Sequence, residues 1–230
     1  MIIVGSARCD ENGKYVNGVA GDQTGKEVME QNFYVHSKGW KILRPMTDSL
    51  ANGLARAMQI ACNNPNIGYD QIQRLDIITD GIESTRPTEC DCSSLVRACL
   101  RYCGLEVNNF TTENESNILQ RSGVFEYAGL YVSQNTTPIY NGDVLVTKTK
   151  GHTVVVTQGS PRPTIEYYPK YTGYSVSIVD ALKAVGEEDT SMAHRKQIAF
   201  ANGIIDGYKG TSIQNNTLLS KLKVGKLKKA

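Results

Sequence analysis

Two runs constrain this chain more than any other feature: Asp143–Thr147 and His152–Thr157, which carry Val144, Leu145, Val146 and Val154, Val155, Val156. Each is short, rich in β-branched residues and bounded by turn signals, Asn141–Gly142 before the first and Lys148–Gly151 between the two. Successive side chains of a strand point to opposite faces, so three apolar residues in a row make both faces apolar. Strands of that kind lie in the middle of a sheet covered on each side. The pair predicts a hairpin at the centre of a layered domain.

Other segments supply the layers. Asp48 is expected to cap a helix running to about Cys62, with Leu50, Leu54, Ala57, Met58 and Ala61 as its core stripe. Asn63–Asn64–Pro65–Asn66 ends it, and Ile67–Gly68–Tyr69–Asp70 reads as a loop. Thr112 and Glu115 form a capping-box pattern opening a short helix to about Ser122. Met1–Val4, Phe33–Val35, Phe125–Val132 and Thr137–Tyr140 read as β pieces. Trp40, the only Trp, reads as a packing residue. Gly21–Glu27 is a loop or a helix start, and it has no Gly-x-x-x-x-Gly-Lys-Ser/Thr pattern, which argues against nucleotide binding.

At 230 residues the chain accommodates one ordinary domain and a small second one. The boundaries expected are a catalytic domain over 1–168, a linker over 169–176 (Pro169–Lys170–Tyr171–Thr172–Gly173 at its start) and a helical module over 177–230. That module reads as three helices: Ser177 with Asp180 to Gly186, Thr190 or Ser191 to Gly203, and Thr211 to Gly225. Ile178, Leu182, Val185, Ile198, Ala199, Ile204, Ile205, Leu218, Leu219 and Leu222 are its expected core. Its end carries Lys221, Lys223, Lys226, Lys228 and Lys229, a solvated tail or a surface for an anionic polymer. The formal net charge of +2 is too small to argue for nucleic acid. No secretory signal or membrane span is expected, so the chain is read as made in the cytoplasm, without membrane insertion.

Thr88–Val96 ends a polar segment and opens a helix. From Cys92 onward Leu95, Val96, Cys99, Leu100 and Cys103 follow helical spacing, and Gly104 supplies the stop. Cys92 therefore falls in the first turn, where unpaired N–H groups and the helix dipole favour an anion. This position is expected to lower its pKa below about 8.5 and expose a nucleophilic thiolate. The competing reading is a small buried residue. The six cysteines lack a Cys-x-x-Cys pair and a neighbouring His, so free thiols are expected and no metal or cofactor is called for.

A thiolate needs a base, and the histidines are His36, His152 and His194. His194, beside Arg195 and Lys196, reads as a surface residue, and His36 has no partner that spacing identifies. His152 follows the Gly151 turn and begins a strand, where its side chain reaches the sheet edge. Cys on a helix N-terminus packed against a sheet, with His on a strand, is the papain-like arrangement, an α+β fold. It requires Cys92 and His152 within about 3–4 Å of each other.

Asp91–Cys92–Ser93–Ser94–Leu95–Val96, with Gly142–Asp143–Val144 and Gly151–His152–Thr153–Val154–Val155–Val156 about sixty residues later, resembles the NlpC-type cysteine peptidases of bacterial cell walls. It is also similar to their CHAP relatives. The pattern spans roughly residues 68–157. The resemblance implies hydrolysis of peptidoglycan amide bonds, with Cys92 as nucleophile, His152 as general base and the Cys92 N–H holding the oxyanion. It implies substrate-lining roles for Tyr69, Asp91 and Ser93. The family's Pro-Tyr-x-Trp-Gly-Gly loop is reduced here to Ile67–Gly68–Tyr69–Asp70. A third polar residue to orient the His is not evident. Gln158 shares strand parity with His152 but lies about 20 Å along the strand. Glu166 comes nearer if Thr164–Tyr168 pairs back across Gly159–Pro163. The layout also resembles phage endolysins, a catalytic domain followed by a wall-binding module, which leave the cell through a holin pore. The rival readings are an N-acetylmuramoyl-L-alanine amidase using the same residues, an acyltransferase, and a non-catalytic wall-binding or phage structural protein.

Overall fold

The computed structural model describes residues 1–10, 12–14, 23–24, 26–164, 166–204 and 207–230. It divides into two compact units, Met1–Arg162 and Pro163–Ala230.

The first unit is α+β. Its eight strands are β1 (Ile3–Ala7), β2 (Val28–Asn32), β3 (Trp40–Pro45), β4 (Ile67–Tyr69), β5 (Thr88–Cys90), β6 (Phe125–Leu130), β7 (Val144–Thr147) and β8 (Thr153–Gln158). Six form one sheet in the order β2-β1-β8-β7-β3-β6, all neighbours antiparallel. The two apolar runs are its central pair, registered Val144↔Val155 and Leu145↔Val154. Their side chains divide between two cores, as the alternation requires. Val144, Val146 and Val155 face a core shared with the helices, while Leu145, Val154 and Val156 pack with Val4, Trp40, Ile42 and Ile139 on the other face. β3 and β2 extend beyond what the sequence pattern indicated, and Phe33–Val35 lies outside any strand.

The helical layer contains α1 (Asp48–Cys62), α2 (Asp76–Asp80), α3 (Cys92–Tyr102) and α4 (Glu115–Arg121). α1 buries Leu54, Ala57, Met58 and Ala61 as expected, but its cap is Thr47, whose hydroxyl accepts from Leu50 N–H. Gly142 has φ +81°, and a Cβ there would run into the backbone of Ala51; only glycine lets the β7 turn sit this close to α1. Ile67–Gly68–Tyr69, expected as a loop, is β4, paired parallel to β5 (Ile67↔Thr88, Tyr69↔Cys90). This short ladder fixes the chain directly before Cys92.

The Thr112/Glu115 capping box does not form. Asn114 is the N-cap, without a side-chain cap bond. Thr112 Oγ1 instead accepts from Gly151 N–H (3.0 Å), and Glu115 Oε1 accepts from Thr153 Oγ1 (2.9 Å). Both polar side chains turn across to β8.

The second unit holds α5 (Ile178–Ala184), α6 (Met192–Ala201) and α7 (Ser212–Lys223), capped by Ser177, Ser191 and Thr211. Ile178, Leu182, Ile198, Ala199, Leu218, Leu219 and Leu222 form its core, with Val185 and Ile204 at the margin; Ile205 lies outside the described residues. The stretch expected as a linker belongs to this unit, because Tyr168 and Tyr171 are buried in its core. The boundary therefore falls after Arg162 and not after Tyr168. A third strand over Thr164–Tyr168 is not formed by the described residues; Tyr167 makes an isolated bridge to Lys228. Within Gly21–Glu27, Gly21, Asp22 and Gly25 lie outside the described residues.

Candidate active site

Asp91 starts α3 with a full capping box: its carboxylate accepts from Ser94 N–H (2.6 Å), and its own N–H donates to Ser94 Oγ (2.9 Å). Cys92 is the first helical residue, so its N–H and that of Ser93 stand outside the intrahelical ladder. The rest of the turn is held by Arg74. Its guanidinium donates to Asp91 Oδ2 (2.5 Å), Ser93 Oγ (3.0 Å) and the Phe110 carbonyl (2.8 Å).

His152 is the last residue of the β7–β8 turn. Its N–H donates to Thr147 Oγ1 (2.9 Å), its carbonyl accepts from Thr147 N–H (3.0 Å), and Gly151 before it is tied to Thr112. The ring stands 6.3 Å from the Trp40 ring, centroid to centroid, and Trp40 stands 5.3 Å from His36. Trp40 is thus the packing residue expected, buried behind His36 and His152. Among the described residues no side chain hydrogen-bonds either ring nitrogen of His152.

The two elements meet at a common cavity. The backbone N–H groups of Thr153, the residue after His152, and of Ser93 favour the ionised form of the Cys92 thiol. Cys92 and His152 line one cavity of about 680 Å³ together with Tyr69, Asp91 and Ser93. The cavity lies within the range of small-ligand sites, about 300–1,000 Å³. Tyr69 is buried, with its hydroxyl accepting from Gln71 Nε2 (2.9 Å). The structure therefore brings together five of the six residues singled out from sequence.

Glu166 is the sixth, and it belongs to the second unit. Lys229 Nζ donates to its carboxylate at 3.1 Å, and its carbonyl accepts from Lys229 N–H. Its side chain is 65% exposed. The strand that was to carry it toward His152 is not formed. The second unit's other titratable candidate, His194, pairs with Glu187 at 3.2 Å.

The ionisation of the pair differs from the sequence expectation. Burial pushes the Cys92 thiol up, and the neighbouring Asp91 and Glu115 carboxyls add to this; the Thr153 and Ser93 N–H groups only partly oppose it. Burial also lowers the His152 pKa to about 4, helped by the nearby His36 and Arg8 charges. The resting pair is a thiol beside a neutral imidazole, and the helix start does not by itself ionise the sulfur. Glu115, fully buried, is pushed well above the ordinary carboxylate range by burial.

Sequence reasoning missed the rest of the lining: Arg8 follows β1, Gln31 lies in β2, and Tyr34, His36 and Lys38 lie in the β2–β3 connection. The antiparallel pairing of β2 with β1 and of β1 with β8 carries them there. The one available signal was the β-like run at Met1–Val4, which does not name its partner. All six cysteines are free, and among the described residues no group of three or more His, Cys, Asp or Glu is placed to hold a metal. Among the described residues no helix is long and apolar enough to cross a membrane.

Searches of curated protein sequences and of solved structures return no significant match. The profile of the endolysin-like domain matches residues 4–162, the extent of the first compact unit and more than half of the chain. The chain belongs to the endolysin-like domain family.

Proposed function

We propose that the first unit is a cysteine-dependent peptidoglycan hydrolase with a papain-like active site, cleaving an amide of the stem peptide or cross-bridge. The family supports a phage peptidoglycan hydrolase in general. The cysteine mechanism is supported by one observation above all: Cys92 and His152 line a common cavity, at the point where the start of α3 packs against the start of β8.

Because the resting pair is neutral, His152 works as a general base during attack and not as half of a preformed ion pair. The imidazole takes the Cys92 proton as sulfur bonds to the carbonyl carbon. Charge developing on the carbonyl oxygen is met by the Cys92 N–H at the start of α3. The imidazolium then gives its proton to the departing amine nitrogen as the C–N bond breaks, leaving a thioester on Cys92. Water, deprotonated by His152, releases the acid and restores the thiol. Tyr69, Asp91 and Ser93 line the substrate side, with Asp91 and Ser93 locked by Arg74. Glu166 has no part in this scheme.

The second unit is proposed to hold the chain on the wall. Its support is the lysine-rich end, where Lys223 and Lys226 are exposed while Lys221 donates to the Asn202 carbonyl and Lys229 to Glu166. An endolysin acts on the wall after release from the cell, and a holin pore is the proposed route.

Mass analysis of fragments from purified walls tests the reading. The wild-type chain is expected to release fragments with a new amine and a new carboxyl, while Cys92→Ala releases none and stays folded. Fragments separated at the muramoyl–alanine bond would assign the amidase reaction instead. Lysis by Cys92→Ala at the wild-type rate would end the proposal.

A further inference from the structure

The charge lining the cavity is unbalanced. The described residues around it include the cations Arg8, Lys38, Arg74 and Lys150, and one carboxylate, Asp91. Arg74 and Asp91 neutralise each other. Arg8, Lys38 and Lys150 have no carboxylate partner among the described residues.

Arg8 is the most telling of the three. It follows β1, whose register on β8 pairs Gly5 with Val155; continued by three residues, that register sets Arg8 opposite His152. Its guanidinium donates to Met29 Sδ (3.2 Å) and to the Cys9 thiol, both weak sulfur acceptors. Among the described residues neither nearby carboxylate hydrogen-bonds the Arg8 side chain. Glu27 accepts from Tyr69 N–H and from Thr24, and Asp10 accepts from Asn12 and Lys14 N–H. A half-buried guanidinium with five donors and, among the described residues, only sulfur partners is set up for a bidentate carboxylate. Lys38 and Lys150, both exposed, also line the cavity, and Lys38 Nζ donates to the Lys150 carbonyl.

We infer that Arg8, with Lys38 and Lys150 at the rim, forms an anion subsite beside His152 that binds a free carboxylate of the peptide being cleaved. This rests on the hydrolase reading above and adds its substrate class: a stem peptide carrying a carboxylate close to the scissile amide. The Arg8 charge already acts on His152, which sets the two within electrostatic reach of each other.

The test uses the full chain and a panel of synthetic stem peptides, in which each carboxylate in turn is replaced by a carboxamide. One replacement is expected to lower kcat/KM at least tenfold, and Arg8→Gln is expected to bring that acid-to-amide ratio close to one. Lys150→Gln, at an exposed position, is expected to reduce the ratio by a smaller factor and serves if Arg8→Gln does not fold. Amidated and acidic peptides cleaved within twofold of each other by the wild type would overturn the subsite. So would a ratio that Arg8→Gln, where it folds, or Lys150→Gln leaves unchanged. If the wild type cleaves no member of the panel, the hydrolase reading itself falls.

Discussion

His152 offers the sharpest quantitative consequence of the site's geometry. Its pKa falls from 6.5 to about 4 because the folded protein buries the ring and sets Arg8 and His36 near it. The folded state therefore binds this proton less readily than the unfolded chain. Stability from His152 is complete above about 6.5 and is lost as pH falls toward 4. By linkage the loss amounts to about 3 kcal/mol when complete and about 2.5 kcal/mol at pH 4.5. Glu115 and Asp143, buried acids whose pKa values are raised, titrate in the opposite sense, so the comparison must be differential. Urea unfolding of wild type and His152→Gln at pH 8 and pH 4.5 isolates the contribution. The wild type is expected to lose about 2.5 kcal/mol more than the variant across that interval. The same ionisation sets the acid limb of kcat/KM near pH 4, since only neutral imidazole accepts the thiol proton. Parallel stability curves for the two proteins, or an acid limb at pH 6.5 or above, would refute the reasoning.

Two further outcomes follow from packing and charge. Arg44 is forked on the fully buried Asp143, with Nε to Oδ1 at 3.0 Å and Nη2 to Oδ2 at 2.8 Å. Arg44→Ala strands that carboxylate and is expected to cost about 3–5 kcal/mol in urea unfolding at pH 7; a loss under about 1 kcal/mol would contradict the assignment. A chain ending at Arg162 is expected to sediment with purified walls at least tenfold less than the full Cys92→Ala chain, and equal binding would remove the anchoring role of the second unit.

Much of this architecture is legible in the sequence wherever local chemistry decides it. The central strands declare themselves because Val144–Val146 and Val154–Val156 leave no polar face. The α3 start is readable from the Asp91–Cys92 step and the spacing of Leu95, Val96 and Cys99. The three helices of the second unit carry their own caps and glycine stops. What local chemistry does not decide is pairing. Thr112 and Glu115 look like a capping box, yet tertiary partners on the β8 side claim both side chains. Tyr171 sits in a Pro/Gly-rich stretch and looks like a linker residue, but with Tyr168 it is large enough to complete a small core. Arg8 reaches the site through the long-range register of β1 on β8 and His36 through the β2–β3 connection, and no spacing encodes either. The thiol expectation failed for a related reason. A helix start favours an anion, but the burial that packs Cys92 under β8 opposes it more strongly.

The central claim is that the sulfur of Cys92 bonds to substrate during turnover. Mass spectrometry of the full chain, acid-quenched within one turnover of stem peptide, tests it directly. The account predicts a thioester adduct equal in mass to the acyl half of the peptide, mapped to Cys92. Continued turnover with no such adduct, joined to undiminished cleavage by Cys92→Ala, would contradict it.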